Sequence, residues 1–543
     1  MPDQLIDFNT TEWNTPSSLP PAHWLTPDLA ALLINGRLTS FHTSLTDNAK
    51  IQPVTLQMKL GHRVYRRTVA FLIEMARREL MPQLSWRPGP SWGGAYDFLT
   101  ETGKPLDEAS TQTLVERVLT WASEAHDLIP RKLPWVRAVE ALDPEHDADG
   151  LLLLKQRNPA EVTCVFWQGH WVWTPEVLLP STKPVSILSI KPAEHGFVVG
   201  FPQKNWPLKA ADWSPSTRRV AAHMSHLSWS KAQGSGSIAR VNAFCTDPLQ
   251  ASLFIQGAEA VHERGFAELA DQIVNRKAHI VLIAGPSSSG KTTSAKRLAV
   301  QLQAIGKIPF AISLDDYFVD REATPKDSQG RLDFEALEAI DLPRLDSDLQ
   351  RLLHRETVTL PLYDFKSGTR KTQGRPFQLG DNAVLILEGI HALNPRLWTG
   401  SQSQETFKIY ISAMTPLSWD GTRRFSTSDL RLVRRLVRDH QYRGYSALAT
   451  LRQWSAVRQG ENLHIFPYQE RADGLFNSSL PYEIHALREL ALPLLEEVSP
   501  LEPEYAHARD LRTFLEGATP LPIRLVPPFS LLREFVGQSG FHY

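Results

Sequence analysis

Cysteine is nearly absent: Cys164 and Cys245 are the only two among 543 residues. They lie far apart and lack metal spacing, which excludes a disulfide framework or a zinc site and leaves both as small buried hydrophobes. Net charge is absent as well, with 58 Lys and Arg against 59 Asp and Glu. Nothing therefore pulls the whole chain toward nucleic acid or membrane, although a local basic patch stays open. No apolar run approaches the roughly 20 residues of a membrane span. Met1–Ser17 is acidic and polar, without the basic and apolar regions of a secretory leader. A cytoplasmic protein with no membrane partner is the expectation. What is present, 42% hydrophobic and 22% charged residues, is the composition of a globular protein. The length calls for two to four domains.

The chain divides near its middle. Residues 1–26, rich in Pro, Thr and Asn, read as a loose arm. Residues 27–58 read as a small β-rich module with an Asn35-Gly36 turn. Residues 59–203 begin with a helical pattern over Thr68–Leu80, continue with a second over Ser110–Leu128, and alternate as β-sheet over 150–203. Residues 204–240 are weakly periodic, include Gly234-Ser235-Gly236-Ser237, and read as a connector or exposed loop. From Val241 to Tyr543 helical and strand patterns alternate, which predicts an α/β domain with a parallel sheet. No internal repeat or long low-complexity tract interrupts these segments.

The densest chemistry lies at Ile280–Thr293. An apolar strand runs into Gly285-Pro286-Ser287-Ser288-Ser289-Gly290-Lys291-Thr292, followed by Thr293 and a helical pattern. This is the phosphate-binding P-loop spacing. Its glycines let the backbone curl round a phosphate, and the helix N-terminus attracts the anion. Lys291 adds a cation near the outer phosphates, and the Thr292 hydroxyl can ligate Mg²⁺.

Two further strands end in acids. Phe310–Leu314 ends in Asp315-Asp316, and Ala383–Leu387 ends in Glu388. Strand-end carboxylates beside a P-loop strand face the ligand crevice of an open sheet. There Asp315 can accept a hydroxyl proton and Glu388 can hold Mg²⁺; a helix cap or a solvent-facing charge is the alternative for each. Arg431, Arg434, Arg435 and Arg438 fall on one face of a helix at i, i+3, i+4 and i+7. Such a face suits a phosphate-clamping lid, a solvated surface or a nucleic-acid contact.

The half from 241 to 543 resembles the uridine kinase and phosphoribulokinase group of P-loop kinases. The matching blocks are Gly285–Thr292, Ser313–Phe318, Asp333–Asp341, Pro361–Phe365, Leu387–Ile390 and Arg431–Arg443. More closely, the whole chain resembles long bacterial nucleoside kinases with a threonyl-tRNA-synthetase-like N-terminal half, and Pro527–Gly537 fits that group's tail. The resemblance implies an α/β P-loop kinase, its parallel sheet flanked by helices and carrying an arginine lid and helical tail. It implies that a TGS-like module (27–58) and an α+β editing-like domain (59–203) precede the kinase. It implies ATP and Mg²⁺, with Gly285–Thr293 holding the nucleotide and Thr292 and Glu388 the metal. Asp315 would take the proton of a nucleoside 5′-hydroxyl, aided by Lys291, Arg431 and Arg434. Phe318, Phe334, Glu335, Tyr363, Phe365 and Arg438 would surround the acceptor.

Two departures from the resemblance stand out. The base-contacting His of related uridine–cytidine kinases is Gly368 here, so uridine preference does not carry over automatically. The editing module's His-x-x-x-His pair falls on Arg67 and Phe71, and its Cys-x-x-x-His pair near Thr174 and Leu178. None supplies an imidazole or thiolate, so editing hydrolysis is not expected. Trp167, Trp171 and Trp173 share one parity and would line one sheet face, as core rather than as a stacking platform. The expected function is an ATP- and Mg²⁺-dependent kinase acting on a small-molecule hydroxyl, with the 5′-hydroxyl of uridine or a related nucleoside foremost. The rival is an RNA- or tRNA-associated P-loop kinase or nucleotide switch docked through the synthetase-like half. The near-neutral charge weighs against an extensive RNA surface, and a homo-oligomer stays open.

Overall fold

The computed structural model describes residues 11–13, 25–44, 49–92, 94–202, 217–326, 330, 332–364, 367–371, 373–398, 405–420 and 423–542. The chain opens with β1 (Thr11–Trp13), β2 (Leu29–Ile34), β3 (Arg37–Thr39) and β4 (Ala49–Thr55), an antiparallel sheet in the order β1-β4-β2-β3. Asn35 and Gly36 both take positive φ between β2 and β3, as a tight hairpin turn of matching twist requires. The expected loose arm is corrected in part: Thr11 pairs with Ile51, so residues 11–13 belong to the module as an edge strand.

Helix α1 (Lys59–Leu80) begins well before the predicted Thr68 and buries Val64, Tyr65, Val69, Leu72 and Ile73. Then follow β5 (Trp86–Trp92), β6 (Ala95–Thr100), α2 (Glu108–Glu124), β7 (Pro130–Pro134), α3 (Trp135–Ala141), α4 (Ala148–Arg157), β8 (Glu161–Trp167), β9 (His170–Trp173), β10 (Ser189–Ala193) and β11 (Gly196–Gly200). They form two antiparallel sheets, β10-β11-β6-β5 and β7-β8-β9. The predicted sheet over 150–203 starts instead with α4, because the unbroken Leu151–Leu154 run suits a buried helix as well as a strand.

The three tryptophans do not share a face. In the β8–β9 hairpin Trp167 pairs with His170, while Phe166 pairs with Trp171 and Cys164 with Trp173. The turn thus reverses the parity. Trp167 meets Phe71 and Trp121 in the N-terminal core, whereas Trp173 meets Trp419 of the second half. The expected connector is also corrected. Residues 217–232 form α5 (Thr217–Ala232), and Ser237 caps α6 (Ile238–Cys245), whose first residues are buried. The Gly-Ser stretch is a helix junction, with Ser235 and Ser237 fully buried.

The second half runs through α7 (Pro248–Asn275), β12 (Ile280–Ala284), α8 (Lys291–Ala304), β13 (Ile308–Ser313), α9 (Leu342–Leu353), two small hairpins from β14 (Thr357–Leu360), β15 (Tyr363–Asp364), β16 (Thr369–Arg370) and β17 (Arg375–Gln378), then β18 (Ala383–Glu388) and β19 (Thr406–Ser412). It finishes with α10 (Thr427–Arg443), α11 (Ala447–His464), β20 (Gly474–Asn477), α12 (Glu483–Glu496), α13 (Tyr505–Leu515) and α14 (Arg533–Val536). The central sheet, in the order β13-β18-β12-β19-β20, is parallel throughout. β12 and β18 are apolar at almost every position because helices cover both faces. From β12 the chain first moves to β13 on one side and later to β19 on the other, which opens a crevice at the strands' C-terminal ends.

The division near residues 204–240 is one of sequence, not of packing. A single apolar cluster joins Ala138, Leu151, Leu154 and Trp173 to Ile238, Phe254, Trp419, Leu436, Leu487 and Phe535. Each half also has apolar clusters of its own, within residues 30–201 and within 266–476; burial of apolar area is the main stabilising term, so cutting the chain here would expose the cluster that both halves share. The fragment 241–543 is therefore expected to aggregate where the full chain runs as a discrete species. Size-exclusion chromatography with near-UV circular dichroism checks this; a monodisperse, cooperatively melting fragment is the opposite result.

Candidate active site

The P-loop leaves β12 in a backbone path that tolerates few side chains. A Cβ on Gly285 would lie 2.3 Å from the Ile411 carbonyl oxygen, and Gly290 sits at φ +84°. Ser288 also takes positive φ. Among the described residues the hydroxyls of Ser288 and Ser289 are buried without a hydrogen-bond partner, an arrangement that a ligand rich in acceptors would satisfy. Helix α8 starts at Lys291 with Gly290 as an N-cap that has no side chain, so its first N–H groups open toward the loop. Lys291 Nζ donates to the Pro286 carbonyl at 3.4 Å. The predicted phosphate cradle, Gly285 to Thr293, is thus one contiguous loop and helix start.

The arginine helix lies beneath this loop. Arg431 and Arg434 are 1% and 0% exposed. Arg431 pairs with Glu461 at 2.5 Å and donates to the Ser287 carbonyl at 2.9 Å. Arg434 pairs with Glu483 at 2.6 Å and lies 3.4 Å from the Ser288 carbonyl. Arg435 donates to the Ser287 hydroxyl at 2.9 Å, and the Ser287 N–H donates to Glu461 at 3.0 Å. The expected open face that clamps phosphates directly is corrected for Arg431 and Arg434: they brace the loop's carbonyls from behind, and carboxylates neutralise them. Arg438 is held by Asp439 at 2.8 Å rather than turned to the aromatic cluster. Arg443, 49% exposed at its side chain, is the arginine of this helix whose charge favours the ionised form of Asp315.

Two acids converge from neighbouring strands. Ser313 and Ile283 both register with Glu388, so Glu388 lies between the P-loop strand and the strand that leads to Asp315. Thr292 Oγ1 donates to Glu388 at 3.2 Å. Asp315 enters a 3-10 turn, Leu314–Tyr317, capped by Ser313. Burial pushes the Asp315 carboxyl up to about 6, against the pull of Lys291, and Glu335 and Asp316 raise it further. Burial likewise pushes Glu388 up to about 7, opposed by Lys291 and reinforced by Asp315 and Glu534. One lysine thus faces two carboxyls that burial alone would keep protonated. Among the described residues no group of three or more His, Cys, Asp or Glu is arranged to hold a metal ion. Thr292 and Glu388 still offer the hard oxygen donors that Mg²⁺ takes when phosphates and water complete its shell.

An aromatic cluster adjoins Asp315. The Phe318 ring lies 5.7 Å from Tyr363 at right angles and 6.5 Å from Phe334. Phe318 and Tyr363 are buried in the core, whereas Phe334 is 40% exposed. Glu335 packs beside Gly460, and burial raises its carboxyl. Asp316, assigned no role above, accepts the Tyr363 N–H at 3.2 Å and ties the β15 hairpin to the site. Phe365 lies outside the described residues. Gly368 has φ +73°, and a Cβ there would come 2.6 Å from Arg321 Nε. A side chain at 368 would be strained by the backbone and would have to displace the Arg321 side chain.

The C-terminal tail also reaches this site, which no periodic pattern in Pro527–Gly537 announces. Leu531 packs so closely on Gly290 that a Cβ there would lie 2.6 Å from it. Glu534 accepts from the Thr293 hydroxyl at 2.5 Å and from its N–H at 3.2 Å. A carboxylate therefore sits on one of the first N–H groups of α8, the position suited to a phosphate oxygen.

Residues 280–483 match the model of the phosphoribulokinase / uridine kinase family. The uridine kinase of Lactobacillus helveticus (strain DPC 4571) is 31% identical over 196 residues, spanning 36% of this chain and 83% of that protein. The chain belongs to the phosphoribulokinase / uridine kinase family. A uridine kinase of Bacillus velezensis is 29% identical over 195 residues, again 36% of this chain and 83% of its own. A solved structure of a possible uridine kinase from Bacillus stearothermophilus is 20% identical and covers 39% of this chain and 100% of its own, with a TM-score of 0.24. The protein is an ATP-dependent kinase acting on a hydroxyl group.

Two outcomes follow from the crowded carboxyls. A carboxyl whose folded pKa is raised holds its proton longer in the native state, so stability is lost as pH rises from the ordinary carboxylate range through about 6. Asp315→Asn is expected to melt above wild type at pH 8, with the gap closing by about pH 4, in thermal scans of the ligand-free protein. Glu534→Gln removes a negative charge beside Glu388. It is expected to lower the Glu388 pKa and to tighten ATP binding several-fold, read by calorimetric titration across pH.

Proposed function

We propose that the protein is a nucleoside kinase that transfers the γ-phosphate of ATP to the 5′-hydroxyl of uridine or a related nucleoside. The observation that carries this reading is the placement of Asp315. Its carboxyl lies at the end of β13, across Glu388 from the P-loop, within the field of Lys291, and next to the cluster of Phe318, Phe334 and Tyr363. A nucleotide switch needs no carboxylate at an acceptor site; a kinase does. Asp315 takes the acceptor's proton, and a pKa of about 6 leaves it ionised at neutral pH while keeping its affinity for a proton high.

ATP with Mg²⁺, when bound, supplies the phosphoryl group and neutralises its charge. The loop from Gly285 to Thr293 cradles the phosphates with its N–H groups and the Ser288 and Ser289 hydroxyls, and Lys291 adds charge. Thr292 and Glu388 hold the metal. Arg431 and Arg434 act as positioning residues through the loop's carbonyls, and Arg443, half-exposed and paired with Asp439 at 3.3 Å, is the arginine of this helix that would turn to the transferred group. Phe318, Phe334 and Tyr363 enclose the acceptor's flat part, with Glu335 toward its hydroxyls. Because Arg321 replaces a base-contacting imidazole at position 368, base discrimination is weaker than in a pocket built around that imidazole.

The N-terminal half is read as a TGS-like module followed by an editing-like domain that has lost its hydrolytic residues. The four-stranded sheet of residues 11–55 and the meeting of Arg67, Thr174 and Leu178 at one cavity support this. Its role in this reading is to complete the kinase core.

ATP consumption assayed against nucleosides, sugars, cyclitols and RNA tests the acceptor. Stimulation by uridine or cytidine is expected, and none by any nucleoside would sink the reading. Asp315→Asn is expected to bind ATP normally and to lose turnover by about 10²–10⁴-fold. Gly368→His is a poor probe of the acceptor site, since the positive φ strains that side chain and it would have to displace Arg321.

A further inference from the structure

Away from the P-loop, a cavity of about 700 Å³ lies where the N-terminal half meets α10 and α13. Its size falls within that of small-molecule sites. Six basic side chains line it, Arg37, Arg63, Arg67, Lys132, Arg424 and Arg509, against the acids Glu176, Asp429 and Asp510. The acids are already engaged. Arg63 bonds Asp429 at 2.7 Å and Asp510 at 2.8 Å, and Arg67 bonds Glu176 at 2.9 Å and Asp510 at 3.2 Å. Among the described residues Arg37 and Arg509 have no carboxylate partner. Burial and the nearby charge of Arg509 both lower the proton affinity of Arg37. Two like charges thus face one cavity with no anion between them.

A second, independent feature points to a ligand. Thr174 lines the same cavity, is 6% exposed, and its hydroxyl has no hydrogen-bond partner among the described residues. Buried hydroxyls are normally bonded. Leu38, Val165 and Phe514 give the wall an apolar side as well. Arginine forks match phosphate oxygens in pairs, and Arg37 and Arg509 offer two positive charges, neither held by a carboxylate among the described residues.

We propose that this cavity binds a small phosphate-bearing metabolite of nucleotide size, separately from the P-loop. Its occupant would touch the helix that braces the P-loop. Asp429, bonded to Arg63, stands two residues before Arg431, which holds the Ser287 carbonyl.

The test uses the full chain carrying Lys291→Ala, which weakens the P-loop site, titrated calorimetrically with UTP and with inorganic pyrophosphate. Binding of at least one probe is expected to persist. Adding Arg37→Glu with Arg509→Glu is expected to weaken it by about ten-fold or more, and Thr174→Val by a few-fold. Pyrophosphate binding would assign recognition to the phosphates; UTP binding alone would add the nucleoside. If the double reversal melts early, Arg37→Gln with Arg509→Gln replaces it. The proposal is overturned if neither probe binds the Lys291→Ala protein, or if binding is indifferent to the Arg37 and Arg509 substitutions. The titration needs no acceptor, so it can fail while the nucleoside-kinase reading stands, and the reverse.

Discussion

The P-loop keeps its shape because two buried arginines hold its carbonyl groups from below. Arg431 and Arg434 reach Ser287 and Ser288, and Glu461 and Glu483 neutralise them in turn. Removing one partner of such a buried pair costs about 3–5 kcal/mol, because the other charge is left stranded in the interior. A loop that must turn its N–H groups inward necessarily turns carbonyls outward, and those need donors that water cannot reach. The arginines supply them. Helix α10 is therefore part of the floor beneath the loop, and at its outer end Arg443 is half-exposed and paired with Asp439.

Above that floor the balance of charge is reversed. Asp315, Glu388, Glu335 and Glu534 crowd round Lys291. Burial raises the proton affinity of Asp315, Glu388 and Glu335, and their mutual repulsion adds to it. This cluster lowers the stability of the empty protein at neutral pH. Glu534 shows the same logic in miniature: on the first turn of α8 it rests where an anion is favoured, and any phosphate that comes there must displace it.

The two halves of the chain share one of their apolar clusters, through Trp173 against Trp419 and the α3–α4 packing on the kinase helices. This joint is what creates the arginine-lined cavity, since its walls come from the first sheet, α1, the segment after β9, α10 and α13. Arg67, Thr174 and Leu178, far apart in the chain, meet in its lining.

The sequence by itself determined the donor side of the protein. The Gly285–Thr292 spacing, the apolar strands ending in Asp315 and Glu388, and the alternation of helix and strand are local patterns, and the parallel sheet brings them together as those patterns require. The hairpin at Asn35-Gly36 was legible for the same reason. What only the tertiary structure decided depends on partners distant in sequence. Arginine spacing at i, i+3, i+4 and i+7 is the same for a lid and for a buried brace; Glu461 and Glu483 settle which it is. The parity of three tryptophans was undone by a two-residue turn. A Gly-Ser stretch became a buried helix junction because the apolar surfaces of both halves close over it. Glu534 and Arg321 became visible as parts of the site only when the tail and the loop were folded against it, since periodicity reports which face of an element is buried and never what lies opposite.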